Sequence, residues 1–596
     1  MPRHAVSDVI AKDQVEMEMG ETPSKHEVRC DEIEDAEEPV AHLNAKTFLV
    51  VFAVLTIYFA QLFNIVAAGA LARDISAIVG GASQTSWLTT NIAIMTSVLG
   101  PPVCQAADYW GRRWFLIILS SFGIIGCIII SRADSKRAYI LQMAVVILGE
   151  AVTGISTAAQ PLIHAIPSEV LPRKYRSYAQ ASLNVAAALG AFVALIVGGA
   201  LTRHNHAIGF RTYWYIAAAI YAAAVLIVFF LYKPPPRELQ KALTLSEKLR
   251  RLDWIGYILL ALGLTLFAIG LSFGENPYSY RSAIVLAPFL IGCSFLVALI
   301  IYEWKFKEDG LFHHGLFSRG RNFAIALACV AIEGLIFYAA NDYFAFEVSV
   351  LYEADPLIGG LRYCIAFVAY ALTTMAAGVY CSKTKNIRLP AVIGLGAFIV
   401  FNVCMATLDT TTNQQTWGYA VIVGFGLGIC LCALVTCAQL STPPELISLA
   451  SGLMIGMRSI GGVVGLAVFN AVFNAKLSAN LGKDIAAAVL PLGLPASSLP
   501  ALIGDLAGNI TPTPKTVPGV TPEIIAAGVR GLLSAFVQAF RYVWVTAGAL
   551  SLAVTILAFF LKNPKSEFTV HIDAPAEKDE DIYDPEAISA NKVHHL

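Results

Sequence analysis

A chain of 596 residues that is 57% apolar and only 14% charged does not divide into ordinary soluble domains, which carry about a quarter charged residues. Its net charge of −1 provides no basic field for nucleic acid. Most of the eleven cysteines, Cys127, Cys329, Cys404, Cys430, Cys432 and Cys437 among them, lie inside apolar runs and read as small buried hydrophobes. No disulfide framework, metal site or cofactor is expected, and His313 and His314 fall in a polar loop without metal-ligand spacing.

Residues 1–45 are acidic and polar and are expected to form a disordered cytosolic tail. A hydrocarbon core about 30 Å thick needs about 20 apolar residues per helix. Runs of that length recur fourteen times, near 47–69, 85–106, 113–131, 139–161, 179–201, 212–232, 254–274, 283–303, 322–341, 358–381, 388–408, 417–439, 448–474 and 540–561. The expectation is an all-α membrane protein. A first six-helix bundle spans 46–232, an inserted pair 233–305 and a second bundle 306–562, followed by a cytosolic tail over 563–596. The acidic stretch NDYFAFEVSVLYEADP after the ninth span reads as an outside loop, and 476–538 as a longer extracellular one.

An even count puts both termini on one side. With cytosolic termini the inside loops hold about eighteen Lys and Arg and the short outside loops about seven, the bias expected of positive-inside orientation. Asn509, in Asn509-Ile510-Thr511, is then a glycosylation candidate in the long outer loop.

The two bundles echo each other. The fifth span carries Gly190, Ala194, Gly198 and Gly199, and the thirteenth Gly452, Gly456, Gly461, Gly462 and Gly465. Small residues at such spacing let helix backbones approach closely in lipid. Pro167-Ser168-Glu169-Val170 and Pro444-Glu445-Leu446 precede these spans at equivalent places. Repeated halves of this kind enclose a central cavity.

Between the second and third spans stands Asp108-Tyr109-Trp110-Gly111-Arg112-Arg113. A carboxylate suits the positive end of the third helix, the glycine permits a tight turn, and the arginines can latch neighbouring helix ends. This segment resembles the signature loop of the major facilitator superfamily, with Cys104 where glycine is usual. Its second-half counterpart, Gly378 to Lys385, has Ser382 in place of the acid, and the fifth span has Leu195 where the antiporter branches carry proline. Glu150 stands where those antiporters carry an arginine.

A longer match is carried by YFAQLFNIVAAGALARDI, GPPVCQAADYWGRRWFLI, SEVLPRKYRSYAQASLN, LDWIGYILLALGL and FHHGLFSRGRNF. Over roughly residues 45 to 565 these resemble the fungal trichothecene efflux pump family of fourteen-helix facilitators. The resemblance implies the major facilitator fold and export of a mycotoxin or another hydrophobic small molecule, powered by protons. It also implies a monomer in the lipid bilayer of the plasma membrane, with a vacuolar or vesicle membrane as the alternative. Because the siderophore–iron transporters are neighbours, uptake of ferric siderophore is the alternative function, and a non-transporting nutrient sensor the second.

An ionisable group inside a span is a functional candidate by default. Glu150 in the fourth span and Glu333 in the ninth are therefore the candidates for handling a proton. Gln61 and Asn64, three apart on one helix face, are candidate ligand-binding amides, and Tyr338 beside Phe337 a candidate cavity wall. Arg458 and Arg362 are expected to snorkel to the interface. No phosphate-binding G-x-x-x-x-G-K-[ST] loop is present, and His164, His204 and His206 form no catalytic cluster, so neither an ATP-driven pump nor an enzyme is expected.

Overall fold

In lipid every backbone polar group has to find its partner inside its own helix or barrel, and a chain this apolar without strand-like alternation has one solution. The computed structural model describes residues 45–573 except 82–83, 134–138, 204–206, 236–239, 241–243, 274–277, 280, 308, 354 and 508–515. Asn509, His204, His206 and the two tails of the sequence reading lie wholly or largely outside the described residues.

Among the described residues fourteen long helices follow in order. The first six are α1 (Ala45–Ala70), α2 (Ser86–Trp110), α3 (Arg112–Ser131), α4 (Tyr139–Thr157), α5 (Arg176–Thr202) and α6 (Ala207–Leu231). The next two are α7 (Trp254–Ser272) and α8 (Ala283–Lys305), the pair that the sequence expectation reads as inserted. The last six are α9 (Asn322–Ala339), α10 (Pro356–Thr384), α11 (Arg388–Ala406), α12 (Gln415–Leu440), α13 (Ile447–Val489) and α14 (Pro522–Ala558). Among the described residues, thirteen helical stretches are long and apolar enough to cross a membrane. The remaining expected span, α2, forms a 25-residue helix whose apolarity is diluted by Thr89, Thr90, Asn91, Thr96, Ser97, Gln105 and Asp108.

Three boundaries differ from the sequence expectation. The chain of α4 turns at 158–159 and resumes as a buried helix, Gln160–Val170, with Pro161 in its first turn, where proline's missing N–H costs nothing. The acidic segment after α9 is not a loop. It continues the helix through a π turn, Ala340–Phe344, into Ala345–Leu351, because Tyr343, Phe344 and Val348 still have core to bury into. The long outer loop is likewise mostly helical: α13 runs 15 residues past 474 to Val489, and α14 starts at Pro522. Ile485, Val489, Leu502, Leu506, Val517 and Ile524 form a small apolar core of their own there, which stabilises helix ends that a bilayer would not.

Within the first half α1 packs on α5 and α6, and α3 on α4 and α6; within the second, α9 packs on α13 and α10 on α12. The halves meet where α5 lies along α10 and α2 along α13. The α7–α8 pair leans on α2 and α13 and leaves Ile258, Leu262, Leu290, Ile291 and Ile300 exposed, as suits a face turned to lipid. The glycine ladders sit at these seams. A Cβ on Gly190 would collide with the carbonyl of Phe59 in α1, and one on Gly461 with that of Ala331 in α9. Gly198, Gly199 and Gly465 lie against Leu71, Leu357 and Leu335.

Candidate functional site

In the first half, Glu150 of α4 is wholly buried. Its Oε2 accepts from Asn64 Nδ2 of α1 at 3.1 Å, while Oε1 has no partner. Gln61, one turn earlier on the same face, donates to the backbone oxygen of Ser156 at 2.7 Å. Both amides therefore tie α1 to α4 instead of facing open space.

In the second half, Glu333 of α9 is equally buried but fully compensated. Arg458 of α13 donates from Nε to Oε2 at 2.6 Å and from Nη2 to Oε1 at 3.2 Å. The guanidinium also lies over the Phe337 ring, 4.4 Å from its centroid. Arg458 thus does not snorkel, because a bidentate carboxylate and an aromatic face replace the water it would otherwise seek. Arg362 is also held inside the protein, donating to Asn413 Oδ1 at 2.6 Å and Thr416 Oγ1 at 3.1 Å. Tyr338 packs on α13 at Gly462.

At the end of the bundle carrying the α2–α3 turn, Gly111 adopts φ 94°, a conformation glycine reaches without strain. Arg112 bridges Asp108, at 2.9 Å, and Glu169, which the Gln160–Val170 helix presents. Arg113 instead donates to the carbonyl of Phe229 at 2.7 Å. In the sequence Glu169 stands out only as part of a repeat, and nothing in it marks the residue as the partner of Arg112.

Beside this latch a polar seal joins the two halves. Gln439 of α12 donates to the carbonyl of His164 at 3.1 Å and to Ser451 Oγ at 2.9 Å, and accepts from Gln180 of α5 at 3.3 Å. Arg176 donates to the carbonyl of Gln439 at 2.9 Å and pairs with Asp573. The segment after α14 lies on the same end, where Arg173 also pairs with Asp573, at 2.7 Å, and donates its backbone N–H to His571 at 3.0 Å.

The opposite end is open. A cavity of about 1370 Å³ is walled by the ends of α1, α2, α4 and α7, by the extension of α9, and by α13. Asp342 of the π turn stands on this wall and accepts from Thr89 Oγ1 of α2 at 2.7 Å. Neighbouring Asn341 donates to the carbonyl of Ile65 in α1 at 3.4 Å. None of Glu333, Glu150, Gln61, Asn64 or Tyr338 lines the cavity. The structure joins Glu150 to Asn64 and joins Asp108 to Arg112, but leaves the two halves' carboxyls apart in separate pairs. The sequence expectation of a loop here hides Asp342; the signal for it is the run of apolar residues, Tyr343, Phe344 and Val348, that continues past it and is buried.

The profile of the Major Facilitator Superfamily matches residues 49–466. The MFS-type transporter ucsD of an Acremonium species is 23% identical over 411 residues, a stretch covering 66% of this chain and 66%, just under two thirds, of that relative. The MFS-type efflux transporter ffsH of Aspergillus flavipes is 25% identical over 402 residues, 66% of this chain and 68% of its own. Among solved structures, a bacterial homologue of the human lysosomal transporter Spinster, inward-facing and unoccupied, superposes with a TM-score of 0.53 at 16% identity, over 87% of this chain and 98% of that one.

Proposed function

The chain belongs to the major facilitator superfamily, and from that premise we propose that it is a secondary active exporter of a hydrophobic small molecule, such as a trichothecene-like mycotoxin or drug, driven by protons. The observation that carries this reading is the pair of fully buried carboxyls, Glu150 and Glu333, one in each half, on helices whose ends wall the cavity. Charged groups held at that depth are expensive and mark ion or proton routes. Glu150 is the proton carrier in this reading, since a bound proton neutralises a buried carboxylate that only one neutral amide meets. Glu333 and Arg458 form an ion pair inside the second half, where it ties α9 to α13.

The sealed end, with the Asp108–Arg112–Glu169 latch, is the cytosolic end. It carries the basic α2–α3 and α4–α5 segments and the chain after α14, an arrangement consistent with the positive-inside bias. The cavity then faces outward, toward the release side of an exporter at the plasma membrane. That the relative ffsH is an efflux transporter favours this direction over siderophore uptake.

The test is accumulation of a panel of trichothecenes, azoles and a ferric siderophore in drug-sensitive yeast expressing the wild type or Glu150→Gln. Lower toxin accumulation with the wild type, abolished by the substitution and by collapsing the proton gradient, is the expected result. Proton-dependent accumulation of the siderophore instead overturns export and leaves the fold intact.

A further inference from the structure

The outer cavity is built around a carboxylate that the buried pairs do not use. In the π turn Ala340–Phe344, a feature concentrated at functional sites, Asp342 stands partly exposed while Asn341, Tyr343 and Phe344 are buried. Its hydrogen bonds come from neutral groups, Thr89 Oγ1 at 2.7 Å and Asn341 Nδ2 at 3.4 Å. Among the described residues no Lys, Arg or His forms an ion pair with it. Helix α1 approaches so closely that a Cβ on Gly69 would strike both Asn341 and Asp342, which holds the carboxylate in place on the wall.

The rest of the lining completes a binding surface. Two carboxyls, Asp74 and Asp342, face one described basic group, Arg73. That guanidinium is already engaged, donating to Ser349 Oγ at 3.1 Å and lying 5.7 Å from the centroid of Phe346. Around them stand aromatic rings from three parts of the fold. Trp87 at the start of α2 meets Phe273 edge-on at 6.0 Å, Phe273 meets Tyr278 at 6.1 Å beyond α7, and Phe346 meets Phe473 of α13 at 5.5 Å. The inserted helix pair thereby contributes part of the wall.

We propose that this cavity takes an amphipathic molecule bearing a protonated amine, with the ammonium on Asp342 and the apolar body against Trp87, Phe273, Phe346 and Phe473. A neutral ligand seated there would strip water from Asp342 without replacing it. An ammonium restores a charge-assisted hydrogen bond, and the aromatic faces add cation–π attraction. The proposal rests on the transporter reading above and deepens it by naming the class of molecule the open cavity selects.

The test is equilibrium binding of 3,3-diphenylpropylamine and its neutral analogue 3,3-diphenylpropanol to the full-length protein in lipid nanodiscs. The wild type is expected to hold the amine about tenfold or more tighter than the alcohol, as a hydrogen bond to a charged group warrants. Asp342→Asn still accepts the Thr89 hydroxyl, so it should keep the fold and the alcohol affinity and lose the preference. Asp342→Glu, which retains the charge, should keep the preference. Equal binding of the two compounds by the wild type, an undiminished preference in Asp342→Asn, or binding of neither overturns the proposal. Toxin efflux in cells is read separately. Efflux that persists without any amine preference sinks this inference alone, and an amine preference without efflux sinks the export reading alone.

Discussion

Glu150 in the first half is met by one amide, Asn64, at 3.1 Å, whereas Glu333 in the second is gripped on both oxygens by Arg458. Both carboxyls are wholly buried, but they stand at different places in the repeat, Glu150 on the fourth helix of its half and Glu333 on the first helix of the other. What separates them is the partner that the neighbouring helix supplies, a neutral amide from α1 in one case and a guanidinium from α13 in the other. One half holds a carboxyl that can exchange a proton without stranding a cation. The other holds an ion pair whose members cannot be changed singly, because removing one leaves the other charged, buried and alone.

The largest expected effect breaks the second pair. Arg458→Leu should cost about 3–5 kcal/mol of stability, the usual toll of stranding a buried charge. The double variant Glu333→Leu with Arg458→Leu should recover most of it. Thermal unfolding in detergent measures both, and a single variant no less stable than the double would show that the ion pair does not set the cost.

A smaller structural effect with a larger functional one is expected in the first half. In Glu150→Gln the side-chain oxygen still accepts from Asn64, so stability should change by no more than about 1 kcal/mol, the net value of one hydrogen bond. Substrate movement in proteoliposomes should meanwhile lose its dependence on an imposed pH gradient. Retained proton drive would remove Glu150 from the coupling route and shift attention to the Glu333 pair.

The smallest effect extends the comparison to the cavity rim. Burial pushes the Asp74 carboxyl up to about 6, with neighbouring Arg73 pulling it back. A carboxyl raised above its unfolded value of about 4 favours the fold in its neutral form. That contribution is complete below pH ~4 and is lost as pH rises through about 6. Asp74→Asn stays neutral throughout, so its melting temperature should match the wild type near pH 4 and exceed it modestly at pH 7.5. An unchanged difference across that range would show that Asp74 is not held in this way.

Much of the architecture was legible without coordinates because hydropathy is a property of each segment's own solvent. Lipid demands continuous apolar helices, and the spans followed from that alone, α2 included despite its hydroxyls and amides. The Asp108 to Arg113 turn was legible for a similar reason, since its glycine and charges act within a few residues of chain. Partners across the fold were not legible. Arg458 lies 125 residues from Glu333, Glu169 lies 57 from Arg112, and Asp573 lies 400 from Arg173. Whether such groups meet depends on how each helix is rotated and which helix it packs against. The π turn that carries Asp342, and the helical extensions that replaced the long outer loop, were decided likewise by apolar side chains finding tertiary neighbours beyond the expected helix ends. The sequence by itself determined which stretches enter the membrane and which turn joins α2 to α3. Only the tertiary structure decided which buried charges are compensated, because that compensation is a contact between helices and not a property of any one of them.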